Sequence, residues 1–374
     1  MGGEVWAAMK LLHFADLHLD AAFAWLGDAR VARARRDALR NALQRIVTLA
    51  HTERVDAVLC AGDLYEHDRI SPDTAAFLRG AFADLHPIRV FVAPGNHDYY
   101  AADSLYRRAS WSGNVHIFTE PRLVPVPLAE GLTLWGAAHL KPAGTPGFLQ
   151  DFSVDRDGTH LALFHGSEHS TLRDQGDGKV AHAPFAADDV RRAGFDHAFV
   201  GHYHVARMAA HHTYPGNPDP LSFGEVGPRG AVLVRVRPDG GIEREQRPVA
   251  VSSVHDIEID VTGCATRNEV AARVAATVTG RTGLARITLR GELAPDVDFA
   301  PHDLDAVTAH LDAAVVRASG VRVAYDFDTI AIEPTVRGQF VRDVRESALE
   351  AEQQRRVLVA GLRALAGRDD LEVF

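Results

Sequence analysis

From residue 9 onward, short apolar runs recur at 10–15, 55–61, 88–93, 132–137, 161–164, 198–200 and 231–236. Each is bounded by Gly, Pro or Asp and is too short for a helix, so the runs predict buried β-strands. Stretches of helical period lie between them. In 30–54, Leu39, Leu43, Ile46 and Val47 fall at i, i+4, i+7 and i+8 and share one face. Ser71, Pro72 and Asp73 give an N-cap, a proline at the first helical position and an acid in the first turn of a second helix. Phe77, Phe82 and Leu85 supply its apolar side. Strands alternating with helices over 9–236 predict a layered α/β domain.

The pattern then changes. Residues 237–254 carry Pro238, Gly240, Gly241 and Pro248 and read as a connection. Ile257, Ile259 and Val261 alternate with acids, as in a half-buried strand. Thr266 and Glu269 form a capping box ahead of Val270, Val274 and Val278 on one helical face. Residues 286–290 predict a second strand, 301–319 a second helix stopped by Gly320, and 321–325 a third strand. The sum is a small α+β domain. Residues 338–367 read as two helices, with Leu358, Leu362 and Leu365 in a stripe. The stripe suits packing onto the small domain or docking of a partner. The expected divisions are 9–250, 251–335 and 336–374, consistent with 374 residues being too long for one ordinary domain.

Composition narrows the class. Two cysteines, Cys60 and Cys264, provide neither a disulfide framework nor zinc-finger spacing, which favours a cytoplasmic protein. Residues 1–10 lack a signal-peptide pattern, 1–8 read as an upstream extension, and no apolar run is long enough to span a membrane. The net charge of −10 excludes a uniformly basic coat for nucleic acid. A local basic strip remains compatible, and bound cations would draw phosphate into an acidic cleft.

The chemistry gathers at the ends of the predicted strands. Five of them run directly into Asp16-Leu17-His18, Gly62-Asp63, Gly95-Asn96-His97-Asp98, His165-Gly166 and Gly201-His202-Tyr203-His204. Sites in open α/β sheets form at the carboxyl ends of strands, so five loops can converge there. Carboxylate, amide oxygen and imidazole together suit manganese, iron or zinc. Ligands at i and i+2 in an extended segment point the same way. If two ions sit about 3.5–4 Å apart, one carboxylate must bridge them, and Asp63 stands alone between the two ligand pairs. Two such ions are the equipment for hydrolysing a phosphoester. Any one of these motifs is weak evidence; five in order, each after a strand, are not.

With those residues in place, the chain resembles the calcineurin-like metallophosphoesterases, whose pattern is D-x-H, G-D, G-N-H-D/E, H and G-H-x-H. The resemblance spans 9–236. It implies a layered core, a β-sandwich flanked by helices, followed by a smaller C-terminal α+β capping domain and terminal helices. It implies a first divalent ion on Asp16, His18, Asp63 and His204, and a second on Asp63, Asn96, His165 and His202. Manganese is the foremost expectation, with iron, zinc and magnesium also compatible. His97 would protonate the leaving oxygen and Asp98 would orient it, which fits a histidine titrating near neutrality beside a carboxylate.

Within the superfamily the chain most resembles the SbcD-type nuclease subunits of DNA repair and their YhaO-like relatives. Asp16-Leu17-His18-Leu19-Asp20 is like their first motif, and 214–218, 223–225 and 227–230 resemble the segment after their last one. That branch implies a manganese-dependent DNA exonuclease, a homodimer, and a coiled-coil ATPase partner of the SbcC type. At the position after Gly62-Asp63-Leu64-Tyr65, where some members carry His and others an acid, this chain has Glu66, followed by His67. An acid there repels DNA phosphate unless a metal or base offsets it.

Arg30, Arg33, Arg35, Arg36 and Arg40 begin near the first metal loop, and of these Arg30, Arg33 and Arg36 are candidate DNA contacts, as is Tyr99. Asp28 and Asp37 make the alternative a solvated helix face. His211 and His212 point to opposite sides of a strand and give no third metal site. Cys60, in an apolar strand, reads as inert. Two rival functions stay open: hydrolysis of a small or cyclic nucleotide, and a non-catalytic protein that positions DNA or an ATPase.

Overall fold

The computed structural model describes residues 8–170, 181–297 and 299–368; of the expected upstream extension, 1–7 lie outside the described residues. The chain divides into two compact units between Ser253 and Val254.

The first unit contains two six-stranded sheets. One holds β1 (Met9–Phe14), β2 (Ala57–Cys60), β3 (Arg89–Val92), β4 (Val115–Ile117), β11 (Gly230–Val236) and β12 (Ile242–Pro248), in the order β12-β11-β1-β2-β3-β4. The other holds β5 (Val124–Ala129), β6 (Leu132–Gly136), β7 (Thr159–His165), β8 (His197–Gly201), β9 (Arg207–Met208) and β10 (His212–Tyr214), in the order β5-β6-β7-β8-β10-β9. β1 to β4 are mutually parallel, as are β6, β7, β8 and β10.

The sheets pack face to face. Leu11, Leu59, Phe91, Val232 and Val234 of the first meet Leu134, Leu161, Leu163 and Phe199 of the second. Helices α1 (Ala29–Glu53) and α2 (Pro72–Asp84) cover the first sheet through Leu39, Leu43, Ile46, Leu78 and Phe82. Helix α3 (Ala187–Arg192) and its flanking loops cover the second through Val190, Phe185 and Phe195. Because both faces of the inner strands are buried, their sequences are continuous apolar runs rather than alternations. In β1, Leu11 faces the opposing sheet while Leu12 and Phe14 face the helices. Each fully buried Leu or Phe contributes about 1.5–3 kcal/mol, so the sandwich is the frame on which the loops are hung.

The second helix on the first sheet begins at the Ser71 cap its sequence predicts, and the first begins at Asp28, which reads in the sequence only as a balancing charge. Asp28 accepts from the amides of Arg30 (2.7 Å) and Val31 (3.1 Å), and Ser71 Oγ accepts from Thr74 N at 3.1 Å. The connection expected over 237–254 is corrected: Ile242–Pro248 within it is the edge strand β12, antiparallel to β11. Its sequence, Ile-Glu-Arg-Glu-Gln-Arg-Pro, hides the strand because at this edge none of the seven residues is buried.

The second unit holds a parallel sheet of β13 (Val254–Asp260), β14 (Leu284–Leu293) and β15 (Ala313–Val323), with α4 (Arg267–Val278) against it. Ile257, Ile259, Val270, Val274, Val278, Ile287 and Leu289 form its core. The helix expected over 301–319 is also corrected. Only Pro301–Leu304 and Asp305–Thr308 are helical turns, and the chain is already in β15 by Ala313. Val315, Val316 and Val321 favour a strand, and pairing with β14 satisfies backbone groups along that edge that a helix would leave open. Gly320 therefore lies inside a strand, beside a register shift, and stops no helix.

Helices α5 (Val336–Arg345) and α6 (Ala351–Leu365) belong to this unit. Val341, Val344, Leu358 and Leu362 pack with Ile330, while Leu365, the last member of the expected stripe, is exposed. Among the described residues no helix is long and apolar enough to cross a membrane.

Candidate metal centre

Loops from the carboxyl ends of parallel strands in both sheets meet at one place. β1 leads into Asp16 and His18, β2 into Asp63, β3 into Asn96 and His97, β7 ends on His165, and β8 leads into His202 and His204. Backbone bonds sew the loops together: Asp16 N to Gly62 O at 3.0 Å and His18 N to Asp63 O at 2.9 Å. The Asp16 carboxylate accepts from His202 N at 3.0 and 3.1 Å. Asp16, His18, Asp63 and His202 all have positive φ, at 56°, 51°, 52° and 116°. Such conformations cost about 1–3 kcal/mol each in non-glycine residues and persist only where the surroundings enforce them. Gly95 has no alternative: a Cβ there would fall on the Asp63 carboxylate.

Among the described residues ligand-type atoms form three groups, each within 4.8 Å: His18, Glu66 and His97 toward the mouth of the site, and beneath them Asp16, His18 and His204 in one and Asp63, His165 and His202 in the other. Asp63 Oδ2 lies between the last two, 3.6 Å from His18 Nε2 and 3.2 Å from His165 Nε2. Three of the imidazoles are aimed by an acceptor on Nδ1: Glu66 Oε1 for His18 at 2.7 Å, Ala61 O for His165 at 2.8 Å, and Glu225 Oε1 for His204 at 2.7 Å. Holding the Nδ1 proton turns the Nε2 lone pair toward the ligand groups, the usual outer arrangement around a metal-binding histidine. Buried His18 Nε2 and Asn96 Oδ1 have no hydrogen-bond partner. Buried polar atoms are normally satisfied, so these two unpartnered atoms on the converging loops fit a site that binds a cation. The donor set of carboxylates, imidazoles and one amide oxygen fits divalent ions.

Charge follows the geometry. Burial, with His165 next, pushes His202 down to about 2 and keeps it neutral. Burial would lower His165 as well, but the Asp63 carboxylate outweighs it and holds His165 at about 9. Burial would raise Glu66, yet its bonds to His18 and His97 bring it down to about 2. The Glu66 bond, first among its influences, lifts His97 to about 9. His97 is exposed at the mouth of the site, its Nδ1 2.9 Å from Glu66 Oε2 and its backbone N–H donating to Asp63 Oδ1 at 2.9 Å.

The expectation that Asp98 orients His97 is corrected. Asp98 is fully buried and turns inward, accepting from the amides of Gly95 (2.6 Å), Asp63 (3.0 Å) and Leu64 (2.8 Å) and from Tyr106 Oη (2.5 Å). It ties the Asp63 loop to the Asn96 loop, and Glu66 holds His97 instead. Of the arginines, Arg30 and Arg33 are exposed and Arg36 is half-buried, with Nη1 3.4 Å from Ala22 O. Arg35 is buried on Asp219 at 2.9 Å, and Arg40 pairs with Asp73 at 2.6 Å. Tyr99 is half-buried and stacked on His67, with centroids 4.3 Å apart. His212 is buried, and Cys60 is too.

Two participants escape a reading of the sequence. Glu66 reads there only as an acid near phosphate. Glu225 reads only as part of a resembling segment, yet it receives Asn217 Nδ2 and Leu221 N, both at 2.6 Å, as well as His204. Glu66 has the linear signal of an acid close behind Asp63, whereas Glu225, 21 residues from His204, has none beyond the resembling segment.

A profile of the calcineurin-like phosphoesterases matches residues 9–206. The uncharacterized metallophosphoesterase YhaO of Bacillus subtilis is 29% identical over 244 residues, covering 61% of this chain and 57% of that protein. The D component of the nuclease SbcCD of Bacillus subtilis is 26% identical over 285 residues, covering 66% of this chain and 70% of that protein. The DNA double-strand break repair protein Mre11 of Aeropyrum pernix is 27% identical over 248 residues, covering 60% and 57% respectively. The chain thus spans little more than half the length of YhaO and this Mre11.

Proposed function

Because the chain belongs to the calcineurin-like phosphoesterase family, whose members bind divalent metal ions, we propose that it is a manganese-dependent nuclease that hydrolyses phosphodiester bonds of DNA in repair. The observation that carries this reading is the Asp63 carboxylate between two ligand groups, with Asn96 Oδ1 and His18 Nε2 left unpartnered beside it. Asp16, His18, Asp63 and His204 would hold one ion; Asp63, Asn96, His165 and His202 would hold the other. Bound there, such a pair activates water and neutralises charge on a phosphodiester.

The chain's own residues supply the rest. His97 stands at the mouth with Nε2 free and Nδ1 fixed on Glu66, so it delivers a proton to the departing sugar oxygen. Its raised pKa keeps that proton in place at neutral pH. Asp98 fixes the relation of the Asp63 and Asn96 loops. The choice of DNA is supported by likeness to proteins named as nuclease and break-repair proteins. The motif resemblance supports action as an exonuclease and homodimer with a coiled-coil ATPase of the SbcC type, and the two widely separated cysteines support a cytoplasmic setting.

The test is cleavage of end-labelled single- and double-stranded DNA with manganese, alongside bis-p-nitrophenyl phosphate, for wild type and His97→Ala. Degradation of DNA by wild type and not by His97→Ala supports the reading. Cleavage of the small diester alone, with DNA untouched even in the presence of a partner ATPase, rejects DNA as substrate and leaves a small-diester phosphodiesterase.

A further inference from the structure

Trp25 lies on the loop between His18 and α1, and among the described residues it is the only Trp, Tyr or Phe that is exposed, with 40% of its surface open. It sits in a 3-10 turn, Ala24–Leu26, flanked by two left-handed residues, Phe23 (φ 50°) and Gly27 (φ 68°). A left-handed phenylalanine is strained, and strain of this kind is retained where a loop must hold one shape. Phe23 is buried, with the Arg35 guanidinium over its ring at 5.4 Å, so the turn is anchored while the indole is left outside.

The indole is also backed. Phe223 meets it edge-on, with ring centroids 4.5 Å apart and planes at 61°. Phe223 is two residues from Glu225, which holds His204, and Trp25 is seven residues past His18; the His18 and His204 rings are 5.2 Å apart. Both aromatic-bearing loops therefore issue from one ligand pair of the metal centre. The same loop collects cations. Arg69 donates to Asp20 O at 3.3 Å and Arg36 to Ala22 O at 3.4 Å. The Asp20 carboxylate is turned away onto Ser71 N and Thr74 Oγ1, each at 2.8 Å.

We propose that Trp25, supported by Phe223, is a stacking platform for a nucleobase of the strand whose phosphate enters the metal centre, an inference that rests on the DNA reading above. Every base offers a π-face, so an open indole on a loop whose Asp20 and Ala22 carbonyls hold two guanidinium groups binds a single strand without reading its sequence. Arg36 and Arg69 meet the neighbouring phosphates.

The test uses the manganese-loaded full chain, as wild type, Trp25→Ala and Trp25→Tyr. Steady-state rates are measured on a single-stranded oligonucleotide and on bis-p-nitrophenyl phosphate, and tryptophan fluorescence is followed on adding a phosphorothioate oligothymidylate. Loss of one stacked base raises the oligonucleotide KM about 10-fold in Trp25→Ala. Trp25→Tyr recovers most of that loss, and both variants keep wild-type kinetics on the small diester. An unchanged oligonucleotide KM in Trp25→Ala overturns the platform and leaves the nuclease reading standing. A parallel loss on the small diester also overturns it, by assigning the indole to loop stability. If wild type cleaves the diester but no oligonucleotide, fluorescence decides: quenching that Trp25→Ala abolishes upholds the platform and rejects the nuclease, and no quenching in wild type rejects both.

Discussion

Glu66 Oε2 lies 2.9 Å from Nδ1 of His97, while the other oxygen of the same carboxylate lies 2.7 Å from Nδ1 of His18. One side chain thereby fixes the proposed proton donor relative to a proposed metal ligand. Removing an outer partner of this kind costs about 10–100-fold. Glu66→Gln is expected to lower kcat on bis-p-nitrophenyl phosphate by about that factor with little change in KM. Since Glu66 acts on the donor through His97, adding Glu66→Gln to His97→Ala should cost far less than the product of the two single losses. Additive losses would mean that Glu66 does not act through His97.

Asp98 has a different task, and the two can be told apart by stability. It is a fully buried carboxylate whose lone pairs are taken by three amides and the Tyr106 hydroxyl. Asp98→Ala leaves those donors unpaired in the interior, at about 1–3 kcal/mol for each donor that water does not reach. Urea denaturation should show that drop. A variant of wild-type stability with only a kcat defect would restore the direct role in orienting His97 that the geometry denies.

His13 predicts an acid sensitivity unrelated to catalysis. It is buried between the sheets, edge-on to Phe199, with neither ring nitrogen hydrogen-bonded, and burial pushes it down to about 3. The unfolded chain binds a proton near the ordinary value of about 6.5 that the folded chain refuses. The associated stability is therefore complete above that pH and lost as pH falls from about 6.5 toward 3. Between pH 7 and 5 this one residue removes about 2 kcal/mol. His13→Phe should flatten the pH dependence of urea denaturation by that amount over the same interval. An identical slope in wild type and variant would place the acid sensitivity elsewhere.

What the sequence discloses follows from locality. Asp16, His18, Asp63, Asn96, His165, His202 and His204 each sit within a few residues of a strand end, so the apolar pattern that locates the strands locates the proposed ligands too. Glu66 and Glu225 act through partners 48 and 21 residues away, a relation that only the fold creates. Asp98 misleads because adjacency to His97 suggests a pair, whereas neighbouring side chains here point to opposite sides, one inward and one to solvent. The helix wrongly expected over 301–319 has the same origin: Val307 and Leu311 are spaced as on a helix, but the parallel edge of β14 claims the residues that follow. An edge strand such as β12, largely open to water, carries too little apolar signal to be seen alone.

The proposed pair of metal ions joined by Asp63 can be counted. Manganese is titrated into metal-free wild type and Asp63→Ala by calorimetry, with circular dichroism to confirm folding and bis-p-nitrophenyl phosphate turnover measured on the same samples. The structure predicts two ions per wild-type chain, and in folded Asp63→Ala a lower stoichiometry with turnover lost. A single ion in wild type, or full turnover by Asp63→Ala, would contradict it.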